Sequence, residues 1–314
     1  MIKGHHHISM FTKDLKEINQ FYTEILGLRR VKISVNQSDP GMYHVFYGDT
    51  TGTAGNDLTF FEIPNIGSTH KGTNAITAIG LLVPGRDSLI YWQHRVADLG
   101  TDVSEIFDYA GTEAIEFQDI EGLKLVLINH GSRAIRENWE PWAGNDVDPA
   151  HMILGMGTVE LSVHEKAETV NLLTELFGYS SVYDNGTETL LQSVAGEVFG
   201  EILVKEIKGN QERPGKGSIH HIAIQSKEKP LEEWDSLIKE RGFLTTGIKR
   251  RYYFDSLYFR DDNGIMFEIT GPDARGFTAD SSIEDLGTTL DLPPFLEDRR
   301  AEIESRLRPI EAWT

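Results

Sequence analysis

The 314-residue chain contains no cysteine. That absence removes disulfides, thiolate nucleophiles, iron–sulfur clusters and cysteine-ligated zinc at once. Any metal must therefore sit among nitrogen and oxygen donors. Basic residues are scarce: 30 Lys and Arg face 49 Asp and Glu, a formal net charge of −19. Such a charge repels phosphate backbones and anionic membrane surfaces at long range, so no nucleic-acid partner is expected. Long apolar runs are missing too, and none approaches the roughly 18 residues of a membrane span. The amino terminus lacks a basic segment followed by an apolar one, and the expected location is the cytoplasm, without a membrane partner. What remains, 39% hydrophobic and 25% charged, is the composition of an ordinary globular protein.

What is present is a repeat. Four stretches open on an apolar, alternating run and pass into a helical pattern near a glycine, starting at His5, Ala75, Gly155 and Ser218. The clearest internal match sets FYTEILGL (Phe21 to Leu28) against LLTELFGY (Leu172 to Tyr179), each with a Gly suited to a left-handed helix cap. Each unit closes on another apolar run: LTFFEIP, GLKLVLI, GEILVKE and GIMFEIT. Two of these follow the same turn signature, FQDIEG from Phe117 and FRDDNG from Phe259. The fold class expected is α+β, with four βαβββ modules paired into two half-barrel domains. Modules one and two are expected to form residues 1–140, and modules three and four residues 155–272. Between them 141–154, with Pro141 and Pro149, reads as a linker. The tail 273–314 carries a short helix after Pro293 and Pro294 and reads as a strap over the core or a contact between copies of the chain.

The run His5-His6-His7 could pass for a tag fragment, but it leads directly into a strand pattern and has an echo at His220-His221. Superposing the unit starts puts His7 on His221, each the second of a pair and each followed by Ile. Strand alternation places His7 with Ser9 on one face and sends His6 and His220 the other way. The equivalent positions are Thr77 or Ala78 in unit two and Thr158 in unit three, so only units one and four offer imidazoles. Unit four adds Glu268, a carboxylate inside an apolar strand, which costs several kcal/mol unless paired or metal-bound. Two imidazoles and one carboxylate are the facial set that holds non-heme iron(II), and manganese would suit it as well. Glu62 in TFFEIP reads as the residue of unit one matching Glu268, with pairing to Lys or Arg as its expected role. His44, His70, His94, His130, His151 and His164 have no echo and are expected to be structural or on the surface.

The four units, the HHI starts and the closing FEI resemble the vicinal oxygen chelate superfamily. Within it GHHHIS, VNQSDPGMYHVFYGD and LPPFLEDRRAEIESRL look like the dioxygenases that open para-hydroquinone rings. The resemblance covers essentially the whole chain. It implies an iron(II) enzyme that inserts O2 beside a hydroxyl-bearing ring carbon, with a small aromatic hydroquinone and O2 as its partners. Its metal ligands would be His7, His221 and Glu268. It also implies supporting or catalytic roles for His6, Ser9 (where Thr is usual), His220, Arg251 and Tyr258. Because one fold serves several chemistries, a glyoxalase-like isomerase or lyase and a non-catalytic binder of quinones or related aromatics stand as rivals.

Overall fold

The computed structural model describes residues 1–131, 133–273 and 275–310. Unit one comprises β1 (Ile2–Thr12), α1 (Leu15–Gln20, prolonged by a π-helical turn Phe21–Ile25), β2 (Arg29–Asn36), β3 (Asp39–Gly48) and β4 (Asp57–Glu62). Unit two holds β5 (Ala75–Val83), α2 (Arg86–Ala97), β6 (Phe107–Tyr109), β7 (Thr112–Gln118) and β8 (Lys124–Asn129). Unit three holds β9 (Gly155–Val163), α3 (Lys166–Asn171, prolonged by a π-helical turn Leu172–Leu176), β10 (Ser180–Asp184), β11 (Glu188–Gln192) and β12 (Ile202–Glu206). Unit four holds β13 (Ser218–Ser226), α4 (Leu231–Glu240), β14 (Thr245–Lys249), β15 (Ser256–Arg260) and β16 (Met266–Thr270). The internal sequence match is also a structural one. Gly27 and Gly178 sit at φ of 71° and 76°, and beyond them Leu28 N–H donates to Tyr22 O and Tyr179 N–H to Leu173 O, both at 3.0 Å. This is the closure that a left-handed glycine permits.

The strands form two eight-stranded mixed sheets, in the orders β14-β15-β16-β13-β1-β4-β3-β2 and β10-β11-β12-β9-β5-β8-β7-β6. One sheet curls as a half-barrel and the other does not close. The pairing of units corrects the expectation from sequence. Unit one joins unit four through antiparallel β1 and β13, and unit two joins unit three through β5 and β9. Each unit has its first strand on its inner edge, and these four edges present the same ladder of N–H and C=O groups. Local pattern therefore does not say which edge meets which. Consecutive units touch instead through a helix and a turn: Tyr22 of unit one donates to Asp119 of unit two, and Thr169 of unit three to Asp261 of unit four. Residues 141–154 connect β8 to β9 inside one sheet.

After β16 the tail lies against unit one, with Leu292, Leu296 and Ile303 of α5 (Arg300–Arg306) and its approach buried in the main core. Asp291 N–H donates to Ile33 O, its carboxylate pairs with buried Lys32, and Tyr43 hydroxyl donates to Arg308 O. Of the two readings of the tail, these contacts describe a strap. Among the described residues no helix is long and apolar enough to cross a membrane.

Candidate metal centre

The pairing of β1 with β13 brings two histidines that are 214 positions apart to within 3.3 Å, Nε2 to Nε2. Glu268 reaches them from β16, which lies beside β13 and parallel to it. Its Oε2 is 2.8 Å from His221 Nε2 and 3.2 Å from His7 Nε2. All three residues are buried, and their donor atoms lie within 4.8 Å of one another. Donors spanning one face of an octahedron with bonds near 2.1 Å are about 3 Å apart, so the spacing suits a transition-metal ion. The two imidazole nitrogens are close to Oε2 without hydrogen-bonding alignment, and that oxygen has no hydrogen-bond partner. Oε1 accepts from the Ser256 hydroxyl. Burial alone would push the Glu268 carboxyl up, but the adjacent His7 and His221 outweigh it and hold it well below the usual carboxylate range.

Two β-bulges orient the candidate ligands His7 and His221. In the β1/β13 register His5 pairs with Ile224 and His7 with Ala223, leaving His6 as an extra residue. On the other strand His221 pairs with Ser9 and Ile219 with Met10, leaving His220 extra. A bulge re-aims side chains, and simple alternation, which would send His6 and His220 away from the ligands, is corrected here. His6 Nδ1 stands 2.9 Å from His7 Nδ1, and His220 Nδ1 2.8 Å from His221 Nδ1. A hydrogen bond at Nδ1 fixes the ligand ring and leaves Nε2 turned to the metal position. Burial, then the neighbouring His7 or His221, lowers His6 and His220 to about 3, so both rings are neutral at ordinary pH.

The cavity in front of the triad is lined by His7, His221, Ser9, Arg251 and Tyr258, and by aromatic walls from Phe46, Phe61 and Phe254. Tyr258 is the cross-strand neighbour of Glu268, and burial, reinforced by that carboxylate, raises its phenol well above the ordinary value. It is therefore held as a donor. Ser9 meets Thr59 at 2.8 Å, and Thr59 meets His44 Nε2 at 2.9 Å. Arg251 donates to Ser38 Oγ at 3.0 Å. Arg250 instead pairs with Asp255 and Glu232 at the surface. His44, given only a default structural role from sequence, lines the cavity, stacked on Phe61 at 4.0 Å. Burial, then His7 and His221, holds it well below the usual histidine range. Alternation along MYHVF already set His44 apart from the buried Tyr43 and Val45. What no local pattern gave was the face that looks on the metal.

Glu62 is not the counterpart of Glu268. Glu268 pairs with Ala223, two residues past His221, whereas Ser9, two residues past His7, pairs with Thr59. The match of FEI with FEI is thus three residues out of register. Glu62 accepts from Leu15 N–H and pairs with Arg308 at 2.7 Å. In the other sheet, Ala78 and Thr158 stand at the histidine positions, and Val126 and Leu203 at that of Glu268. It has no such set.

The chain belongs to the vicinal oxygen chelate superfamily. The model of the Glyoxalase/Bleomycin resistance protein/Dioxygenase superfamily matches residues 4–127. The chain is 42% identical over 317 residues to the Bacillus subtilis (strain 168) protein named "Putative ring-cleaving dioxygenase MhqA", covering 99% of both chains. It is 25% identical to a chlorohydroquinone/hydroquinone 1,2-dioxygenase of Sphingobium indicum, covering 96% of this chain and 95% of the relative. A crystal structure of a "putative dioxygenase" from Bacillus subtilis superposes with a TM-score of 0.88 at 29% identity, covering 98% of this chain and 97% of that one.

Proposed function

We propose that this protein is a non-heme iron(II) dioxygenase that cleaves para-hydroquinone-type rings beside a hydroxyl-bearing carbon. The observation that carries the reading is the set His7, His221 and Glu268: three converging donors with a single carboxylate, because unit one presents Thr59 where unit four presents Glu268. A glyoxalase-like isomerase generally uses more carboxylates, so the neutral Thr59 favours the dioxygenase. The names of two relatives, a ring-cleaving and a hydroquinone dioxygenase, point the same way.

When bound, iron(II) would supply the Lewis acid and the electron path between an electron-rich ring and dioxygen. The chain does the rest. His6 and His220 hold the ligand rings, and Phe46, Phe61 and Phe254 shield the aromatic substrate from water. The protonated Tyr258 donates to oxygen charge that develops beside Glu268. Both atoms of O2 enter the product, so no external reductant is required. The test is oxygen uptake by anaerobically iron-loaded protein with hydroquinones, with both atoms of ¹⁸O2 recovered in an open-chain product. Turnover with nickel or zinc and no oxygen uptake would replace this reading with the isomerase.

A further inference from the structure

Two residues that line the cavity at the candidate metal centre carry buried polar atoms that the mechanism above leaves unused. Tyr253, 6% exposed, has a buried hydroxyl with no hydrogen-bond partner, and so has the side-chain carbonyl oxygen of half-buried Gln37. Both residues line the same cavity as His7 and His221. A buried polar atom left unpaired is costly and calls for a partner. Neither belongs to the ligand set or to the residues that hold it. Tyr253 lies on the loop between β14 and β15, with its ring packed on Tyr252 and Phe277 and beneath the ammonium of buried Lys32 at 4.3 Å. Gln37 lies in the turn between β2 and β3. Arg251, donating to Ser38, ties that loop to that turn, so two residues of different units are clasped beside one cavity.

We infer that Gln37 and Tyr253 together read a second hydroxyl of the bound ring, one other than the hydroxyl presented to the metal centre. The chemistry is complementary. A Gln carbonyl oxygen only accepts and a protonated phenol can donate or accept, so a hydroxyl, which does both, suits the pair, whereas hydrogen, a halogen or an ether oxygen offers the carbonyl no donor. Burial raises the Tyr253 phenol above its ordinary value, which keeps it a donor. A catechol brings both hydroxyls to the metal centre and leaves the two protein atoms unpaired, whereas a para-hydroquinone carries its second hydroxyl across the ring. The inference rests on the dioxygenase reading for the identity of the ring, and it turns that reading into a specificity carried by two named residues.

The test is equilibrium dialysis of iron-loaded protein with air excluded, using hydroquinone, catechol and phenol, on wild type, Gln37→Leu and Tyr253→Phe. Melting temperature and iron content serve as controls for folding. Wild type should bind hydroquinone at least about tenfold more tightly than phenol, because a site built around a hydroxyl penalises its loss. Each variant should lose most of that preference while binding phenol as wild type does. An unchanged hydroquinone-to-phenol ratio in both variants, or no preference in wild type, overturns the inference. Oxygen uptake on the same samples separates it from the parent reading. Uptake by wild type with unchanged ratios in the variants defeats only the recognition role. A preference that depends on Gln37 and Tyr253, with no uptake from any hydroquinone, upholds the recognition role and defeats the dioxygenase.

Discussion

At the scale of the residue, the candidate site is defined by three donor atoms that converge in a buried place. Glu268 Oε2, enclosed and without a hydrogen bond, faces two imidazole nitrogens. Replacing His7, His221 or Glu268 by Ala is therefore expected to reduce iron content far below one per chain after anaerobic loading, measured by metal analysis. Full retention in any two of the three would refute the assignment. Tyr258→Phe should keep its iron and its fold yet lose on the order of 10²–10³ in kcat, the usual cost of removing a donor aimed at developing charge. Single-turnover rates under saturating O2 measure this, and a loss below about threefold would make Tyr258 a packing residue. Glu62→Gln should do the reverse. Its pairing with Arg308 and Leu15 gives it a structural role, so unfolding should become easier by about 1–2 kcal/mol while iron binding is untouched. Loss of iron in that variant would restore Glu62 to the ligand set.

At the scale of the element, the repeated turn signature has a definite mechanical meaning. Asp119 and Asp261 each accept from the backbone N–H four residues on, at Leu123 and Ile265, and each receives a hydroxyl from the helix of the preceding unit. The Gly122 and Gly264 amides complete both turns at φ of 86° and 83°. Burial, only partly offset by these donors, raises the Asp261 carboxyl to about 6. Between its ordinary range near 4 and about 6 the folded chain then binds more protons than the unfolded one, so this group's contribution to stability falls as pH rises through that window. Asp261→Asn keeps the shape and removes the titration. The difference in unfolding free energy between wild type and variant should move in favour of wild type by roughly 2 kcal/mol from pH 7 to pH 4. Denaturant titrations at the two pH values test this, and a constant difference would mean that the carboxyl titrates normally.

At the scale of the whole molecule, the candidate metal set comes together because the first and last units share a sheet. A chain cut in the 141–154 segment should yield an amino-terminal fragment that holds His7 but no stable iron, since His221 and Glu268 lie on the other piece. The two fragments mixed or co-expressed should recover iron binding, because β1 has its edge free for β13 and the second sheet joins through β5 and β9. Stoichiometric iron in the isolated fragment 1–140 would contradict this architecture. The strap adds to the same dependence. Through Asp291 it holds Lys32, whose ammonium lies over the ring of Tyr253 in the cavity wall.

The sequence by itself determined the repeat, the strands that open and close each unit, the glycine caps and which two histidines and one carboxylate converge as the candidate metal set. Each of these is written in local periodicity, turn chemistry or the cost of a carboxylate in an apolar strand. The echo of His7 at His221 needed only the assumption that equivalent positions share a face. The tertiary structure alone decided which units pair, because four inner edges with the same backbone ladder carry no label. It also decided strand register, which put Thr59 rather than Glu62 opposite Ser9. A register is fixed by hydrogen bonds between strands and cannot be recovered from the likeness of two tripeptides. Finally, the bulges that turn His6 and His220 back toward their neighbours, and the assignment of His44, Gln37 and Tyr253 to the cavity, arise where two distant segments meet, and neither segment contains that information alone.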